Sequence, residues 1–387
     1  MKRMALTISL GVTMLLGLMA ASGAGAASEP ITIGSIATLS GPNRGTGLAC
    51  LAGLQIAADE INAQGGILLG GERRKVTVVY YDDKYQGSEA VDVANRLINR
   101  DNVKIIMGPI GSAMTLAIQE VTEKSGAMIF SAGVTHKALD PTKPLTFRYV
   151  LSQAEYAPPI AKWIARNIQT AKNVAVIAPN NEAGQEAVIF IERAYQTNGL
   201  AVTGKFMFDE NTADFNPILT KILSTKPDVL ETDGTAPTHV GLIVKQARQL
   251  NYKGLITKIG GAGTGEVIRV AGQEYAEGFM YQASADLTDP KVKHLQEAFA
   301  TMYKDPFNTI LIPGYDISWM LFDAIAKAQS TEPTKVAPVL ADLKKNGTFG
   351  PIEFSTATYG IKRQPLYPFF LGRVENGQEK IVTKLQP

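Results

Sequence analysis

The chain has 387 residues, 45% of them hydrophobic and 19% charged, with a formal net charge of +2 and one cysteine. This length suits two domains of about 100–200 residues, and the composition excludes disorder for the bulk of the chain. Lys2 and Arg3 carry the whole net charge, since 36 basic residues balance 36 acidic ones beyond residue 26, which argues against a nucleic-acid binder or a polybasic membrane-surface protein.

Lys2 and Arg3 open the chain, residues 4–20 are uncharged, and residues 21–27 are small, with an A-x-A pattern at Ala24-Gly25-Ala26. This layout predicts a secretory signal peptide over residues 1–26. The apolar run is short for a membrane anchor and decays into Gly, Ala and Ser, not into basic residues. No later segment has about 18 uninterrupted apolar residues, so the mature chain is expected to be soluble and exported to the periplasm. Cys50 is alone and cannot form an intramolecular disulfide. It lies among Leu48, Ala49, Leu51 and Ala52 and reads as a small core residue.

Short apolar runs then alternate with helical patterns. Strands are expected at 31–37, 76–81, 104–107 and 127–130, and helices at 48–62, 88–99 and 113–123. The rhythm restarts with strands at 173–178, 201–208, 228–232 and 255–259 and helices at 185–198, 214–224 and 238–250. A β-α-β-α order implies parallel sheets with helices on both faces. The two halves meet near Phe147–Ser152. The tail reads as a strand at 279–283, helices near 291–303, 315–329 and 335–344, and strand-like pieces at 352–354 and 368–374.

No phosphate loop, H-E-x-x-H, C-x-x-C or G-x-S-x-G motif is present. The glycine cluster at 260–265 lacks dinucleotide spacing and reads as a turn at a cleft lip. Binding, not catalysis, is the expected role, with no cofactor and no metal. Three features fall at the carboxyl ends of first-half strands, where open α/β sheets place ligands. They are the loop at 40–47 with Arg44 and Thr46, the segment 108–112 with Ser112 at a helix start, and the segment 131–135 with Thr135. A helix N-terminus suits a carboxylate. Ser112 reads equally as the N-cap of its own helix.

Ser40-Gly-Pro, Ala58-Asp-Glu-Ile-Asn-Ala-Gln-Gly-Gly-Ile67, Tyr81-Asp-Asp83, Ile106-Met-Gly108, Lys245-Gln-Ala-Arg248 and Ala276-Glu-Gly278 occur in that order. Together they resemble the periplasmic leucine/isoleucine/valine-binding protein family, type I solute-binding proteins of ABC importers. The resemblance implies an α/β fold of two Rossmann-like lobes with parallel sheets, joined by a three-strand hinge. Lobe 1 would be 27–150 plus 281–350 and lobe 2 would be 151–280 plus 351–387, with crossovers near Val150, Met280 and Gly350.

The family's carboxylate cradle carries over to Ser112, Gly133 and Thr135. Its amine grip and side-chain pocket do not. Thr46 stands where leucine-binding members have an aromatic residue, about Ala183 replaces a second, and Ala262 lies where an acid pairs with the ligand ammonium. Asp233 is the nearest replacement acid, with Glu182 and Glu231 behind it, and reads equally as a turn residue. Arg44 could pair with a carboxylate or stay solvated. The implied function is the exported solute-binding component of a branched-chain amino acid type of ABC importer. The implied partners are a small carboxylate ligand and an inner-membrane permease, with the chain a monomer. A binder of an amine-free keto, alkyl or aromatic acid, and a sensor acting on a membrane receptor, remain open as alternatives.

Overall fold

The computed structural model describes residues 29–261 and 263–387. The expected signal peptide at 1–26 and the site position Ala262 lie outside the described residues. Among the described residues, no helix is long and apolar enough to cross a membrane.

The first half contains β1 (Ile31–Ala37), α1 (Arg44–Ala63), a small antiparallel hairpin of β2 (Ile67–Leu69) and β3 (Glu72–Arg74), β4 (Val76–Asp82) and α2 (Gly87–Asn99). It continues through β5 (Ile105–Met107), α3 (Ser112–Ser125), β6 (Met128–Ser131) and β7 (Thr146–Arg148). These strands form a parallel sheet in the order β4-β1-β5-β6-β7. Their apolar runs match strands covered on both faces. One face takes α2 and α3, where Ala90, Val93, Leu97, Met114 and Ile118 pack on Ile36, Ile106 and Ile129.

The second half contains α4 (Gln153–Asn167), β8 (Asn173–Pro179), α5 (Glu182–Thr197), β9 (Ala201–Phe208), α6 (Asn216–Ser224) and β10 (Val229–Glu231). It ends with α7 (Pro237–Gln249), β11 (Leu255–Lys258), α8 (Thr264–Ala271), α9 (Gln273–Ala276) and β12 (Met280–Ala283). Helix α4 was not expected, because Pro158 and Pro159 sit inside it. Ser152 and Glu155 start it with a reciprocal capping box, which offsets the disrupted interior.

The tail crosses back. It forms α10 (Lys293–Met302), α11 (Leu311–Ala328) and α12 (Pro333–Asp342), of which α10 and α11 pack on α1. Helix α1 is buried along most of its length, so its glycines admit close neighbours. A Cβ at Gly53 would lie 2.6 Å from the Leu311 carbonyl oxygen of α11. A three-stranded antiparallel sheet follows, made of β13 (Lys344–Gly347), β14 (Gly350–Ser355) and β15 (Gln364–Leu366). It rests against β7 and α12, with Ile352 and Phe354 beside Phe147, Val336 and Leu340. Gly350, where a crossover is expected, lies within this sheet. The chain joins the second sheet only at β16 (Phe369–Glu375) and β17 (Gln378–Leu385). That sheet runs β17-β16-β12-β11-β10-β8-β9, with β16 and β17 antiparallel to a parallel core.

Candidate functional site

The carboxyl ends of the two sheets face a common cavity with about 850 Å³ of unfilled space, part of it open to solvent. Ser112 and Thr46 line it from the first half and Asp233 and Lys258 from the second, with Gln153 and Gln282 near the connecting segments.

The first wall is built by the turns after β5 and β6. The N-cap of α3 is Gly111, not Ser112, because Thr115 N–H and Oγ1 both bond the Gly111 carbonyl. Ser112 therefore sits in the first turn, and its Oγ is free to accept the Thr135 backbone N–H at 3.2 Å. Thr135 Oγ1 in turn accepts the Lys137 N–H at 3.3 Å, capping a short 3₁₀ turn. Each hydroxyl thus receives a backbone donor and keeps its own hydrogen for another acceptor. The first N–H groups of α3 have no helical partner either. Ser112 and the N-terminus of α3 thus turn polar donors toward the cavity, with the fully buried Thr135 hydroxyl behind them.

Gly133 serves this wall differently from expectation. Its N–H donates to Ser131 Oγ at 2.8 Å and its carbonyl accepts Arg148 Nε at 2.8 Å. Both backbone groups are engaged, so Gly133 shapes the loop. A side chain has no room there: a Cβ would overlap Thr115 Oγ1 and lie 2.9 Å from the Gly111 carbonyl oxygen. Arg148, fully buried, also bonds the Thr135 carbonyl and Gln364 Oε1, the latter at 2.6 Å. Its fixed guanidinium fork holds the loop backbone in place.

The second wall is charged. Asp233 follows β10, is buried, and accepts the Tyr156 hydroxyl at 3.0 and 3.3 Å on its two oxygens. Burial pushes its carboxyl up, while the nearby Lys258 ammonium pulls it down. Lys258 ends β11, and burial pushes its ammonium down against the pull of Asp233 and Glu231. Its Nζ donates to the carbonyls of Gly260 and Gly261, the latter at 3.0 Å. Glu231 lies behind this wall. Its carboxylate accepts the N–H groups of Thr232, Asp233 and Ile259 at 3.0, 2.9 and 3.2 Å. It also accepts the hydroxyls of Thr257 and Tyr195 at 2.6 and 2.8 Å. Burial and the Asp233 charge push it up to about 7. With five donors it is a fastener for the β10 and β11 turns and not a free ligand group.

The two halves are clasped across the cleft. Glu186 Oε1 on α5 accepts the His136 N–H at 2.6 Å and meets His136 Nδ1 at 2.7 Å. Lys137 pairs with Glu182 at 2.8 Å, while Thr238 Oγ1 lies between Glu266 Oε1 at 3.1 Å and the Pro42 carbonyl at 3.2 Å. Glu182 is thereby part of the clasp and not of the ligand wall.

Thr46, Ser112, Ala183 and Asp233 reach the cavity, and Gly133 and Thr135 flank its lining residue Val134. Arg44 does not reach it. Its guanidinium forks onto Asp305 at 3.2 and 3.0 Å and bonds the Leu39 carbonyl, with its side chain 46% exposed. Lys258, Gln153, Tyr156 and Arg148 were not anticipated. A lysine at the carboxyl end of a parallel strand was a usable signal. Cys50 is buried with its thiol pushed up to about 12, as suits a core residue. Among the described residues, no group of three or more His, Cys, Asp or Glu is arranged to hold a metal ion.

Comparison with known proteins agrees with this architecture. The family model described as periplasmic binding protein matches residues 30–379. A leucine-, isoleucine-, valine-, threonine- and alanine-binding protein of Pseudomonas aeruginosa is 26% identical over 316 residues, covering 81% of this chain and 83% of its own. The crystal structure of a branched-chain amino acid transporter substrate binding protein from Streptococcus pneumoniae, in complex with isoleucine, is similar with a TM-score of 0.79 at 23% identity. That likeness covers 92% of this chain and 100% of the other. An ABC transporter solute binding protein from R. palustris, in complex with benzoate, gives a TM-score of 0.77 at 18% identity over 92% of this chain and 97% of its own. At these identities the solved structures share the fold. Two sheets around a polar cleft, and a family match running from before β1 into β17, lead to one conclusion: the chain belongs to the periplasmic binding protein family.

Proposed function

We propose that this chain is the exported solute-binding component of an ABC importer of the branched-chain amino acid type. It captures an amino acid or a related small carboxylate in the cleft and delivers it to an inner-membrane permease, acting as a monomer. The observation that carries this reading is the first wall, where Ser112 and Thr135 keep hydroxyl hydrogens free beside the N-terminus of α3. The name of the Pseudomonas relative and the isoleucine in the Streptococcus complex support the amino acid class. The two lobes carry opposite walls and close on the ligand by a hinge motion. The ligand carboxylate lies at Ser112 and Thr135, on the loop that Gly133 shapes, and Asp233 takes its ammonium.

A second reading, an amine-free acid, is favoured by one observation. The Lys258 ammonium lies near enough to pull the Asp233 carboxyl down without a direct ion pair, so part of the Asp233 charge is offset without a ligand ammonium. The benzoate complex of the R. palustris neighbour shows that this fold holds such an acid. Thermal shift over amino acids, keto acids and aromatic acids tests both readings. A ligand at about 1,000 times its Kd adds about 4 kcal/mol of stability. If none of the three classes raises the midpoint, the carboxylate reading is wrong.

A further inference from the structure

The second wall holds more polar groups than a carboxylate and an ammonium use. Lys258 has three N–H donors, and the carbonyls of Gly260 and Gly261 take two of them. The lysine makes no ion pair with Asp233 within 4.0 Å, and Glu231 is saturated by its five donors. The Lys258 charge is therefore buried, only 6% exposed, beside the cavity without a contacting counter-ion. Two further side chains on the lining are in the same condition. Gln153 is 1% exposed; its amide is turned toward the Asp233 carboxylate, which it helps hold down, and its Oε1 has no partner. Thr235 is 3% exposed and its Oγ1 has no partner. Buried polar groups left unmatched are costly, and a buried charge more so.

A branched hydrocarbon side chain would leave all of these groups dry. We infer that the ligand has two oxygen-bearing ends: a carboxylate against Ser112 and Thr135, and a second carboxylate, amide or carbonyl oxygen against Lys258, Gln153 and Thr235. The favoured class is a small acid with a polar or acidic side chain, with or without an α-amine. This inference rests on the carboxylate-binding reading and specifies the far end of the same site.

Titration calorimetry on the purified protein with matched pairs tests it. Glutamate is compared with 2-aminopentanoate, and 2-oxoglutarate with 2-oxopentanoate, so that each pair differs only in the terminal oxygens. The expected result is that the oxygen-bearing member of at least one pair binds tenfold tighter or more. Lys258→Met should erase that preference, with its circular dichroism spectrum and cooperative thermal melting showing that the variant folds. Thr235→Val should reduce the preference partly, as a second and milder variant. If the hydrocarbon members bind as tightly as their partners or more tightly, the two-ended ligand is overturned and the carboxylate site stands. If neither pair nor any simple acid binds, both readings fall.

Discussion

Ser112 Oγ and the Thr135 backbone N–H meet at 3.2 Å, joining the turn after β5 to the turn after β6. One hydroxyl thus braces the segment that carries the other. Ser112→Ala and Thr135→Val should each weaken ligand binding by about 1–3 kcal/mol, the usual cost of stranding a buried partner. Because Ser112 also positions Thr135, the two losses should not add. Calorimetric Kd values for both singles and the double variant measure the coupling. Wild-type affinity in the double variant would remove the first wall from the binding site.

Asp233→Asn separates the ligand classes. Asp233 is buried and held by Tyr156, so the change keeps the shape and removes the charge. If an ammonium sits there, amino acid binding should fall by roughly 1.5–3 kcal/mol, as for a charged hydrogen bond. Binding of an amine-free acid should hold steady. Parallel titrations with an amino acid and its 2-oxo analogue read the difference directly.

Arg44→Ala should leave ligand affinity unchanged within experimental error. Its guanidinium is committed to Asp305 and to the Leu39 carbonyl, away from the cavity. The pair is exposed and worth at most about 1 kcal/mol of stability. A clear loss of affinity would mean that Arg44 turns inward when ligand binds.

The clasp gives a prediction outside the ligand wall. Glu186 is 5% exposed and receives both His136 groups across the cleft. Glu186→Ala should raise the ligand dissociation rate several-fold and expand the ligand-free protein in small-angle scattering, with every cavity side chain intact. Glu182→Gln, breaking the exposed Lys137 pair, should do less. Stopped-flow release rates rank the two.

Glu231 makes stability depend on pH. Its carboxyl is raised to about 7 in the folded protein from an ordinary value of 4.5. The folded state therefore favours the protonated form, and ionisation costs stability. That cost is absent below about pH 4.5, grows as pH rises and is complete above about pH 7, reaching roughly 3 kcal/mol. The thermal midpoint should thus fall between pH 5 and pH 8. Glu231→Gln should flatten that slope and lower the midpoint at pH 5, since an amide nitrogen cannot accept the donors that surround it.

The alternation of strands and helices was legible because buried parallel strands are continuous apolar runs; the strand expected at 31–37 coincides with β1. Helix α4 was hidden by Pro158 and Pro159, although its Ser152–Glu155 capping box was present in the sequence. Ser112 and Asp233, both expected after strands, line the cavity, Ser112 at the start of α3 and Asp233 just after β10. The site was not legible where a role depends on a distant partner. Arg44 finds Asp305 261 positions away, and Arg148 finds Gln364 216 positions away. No local spacing encodes such pairs. Lys258 lies inside the expected strand at 255–259, and beyond that place nothing in the local sequence marks it as a buried charge at the cavity edge.

The close approach of α1 to α11 has a bearing on how the molecule is made. A ribosome releases Gly53 long before Leu311, the residue whose carbonyl fills the space that the missing side chain leaves. Helix α11, which packs on α1 of the N-terminal half, is made only after the second half has emerged, so that contact forms late. The interleaved order of segments makes late, whole-chain folding a property of the topology itself.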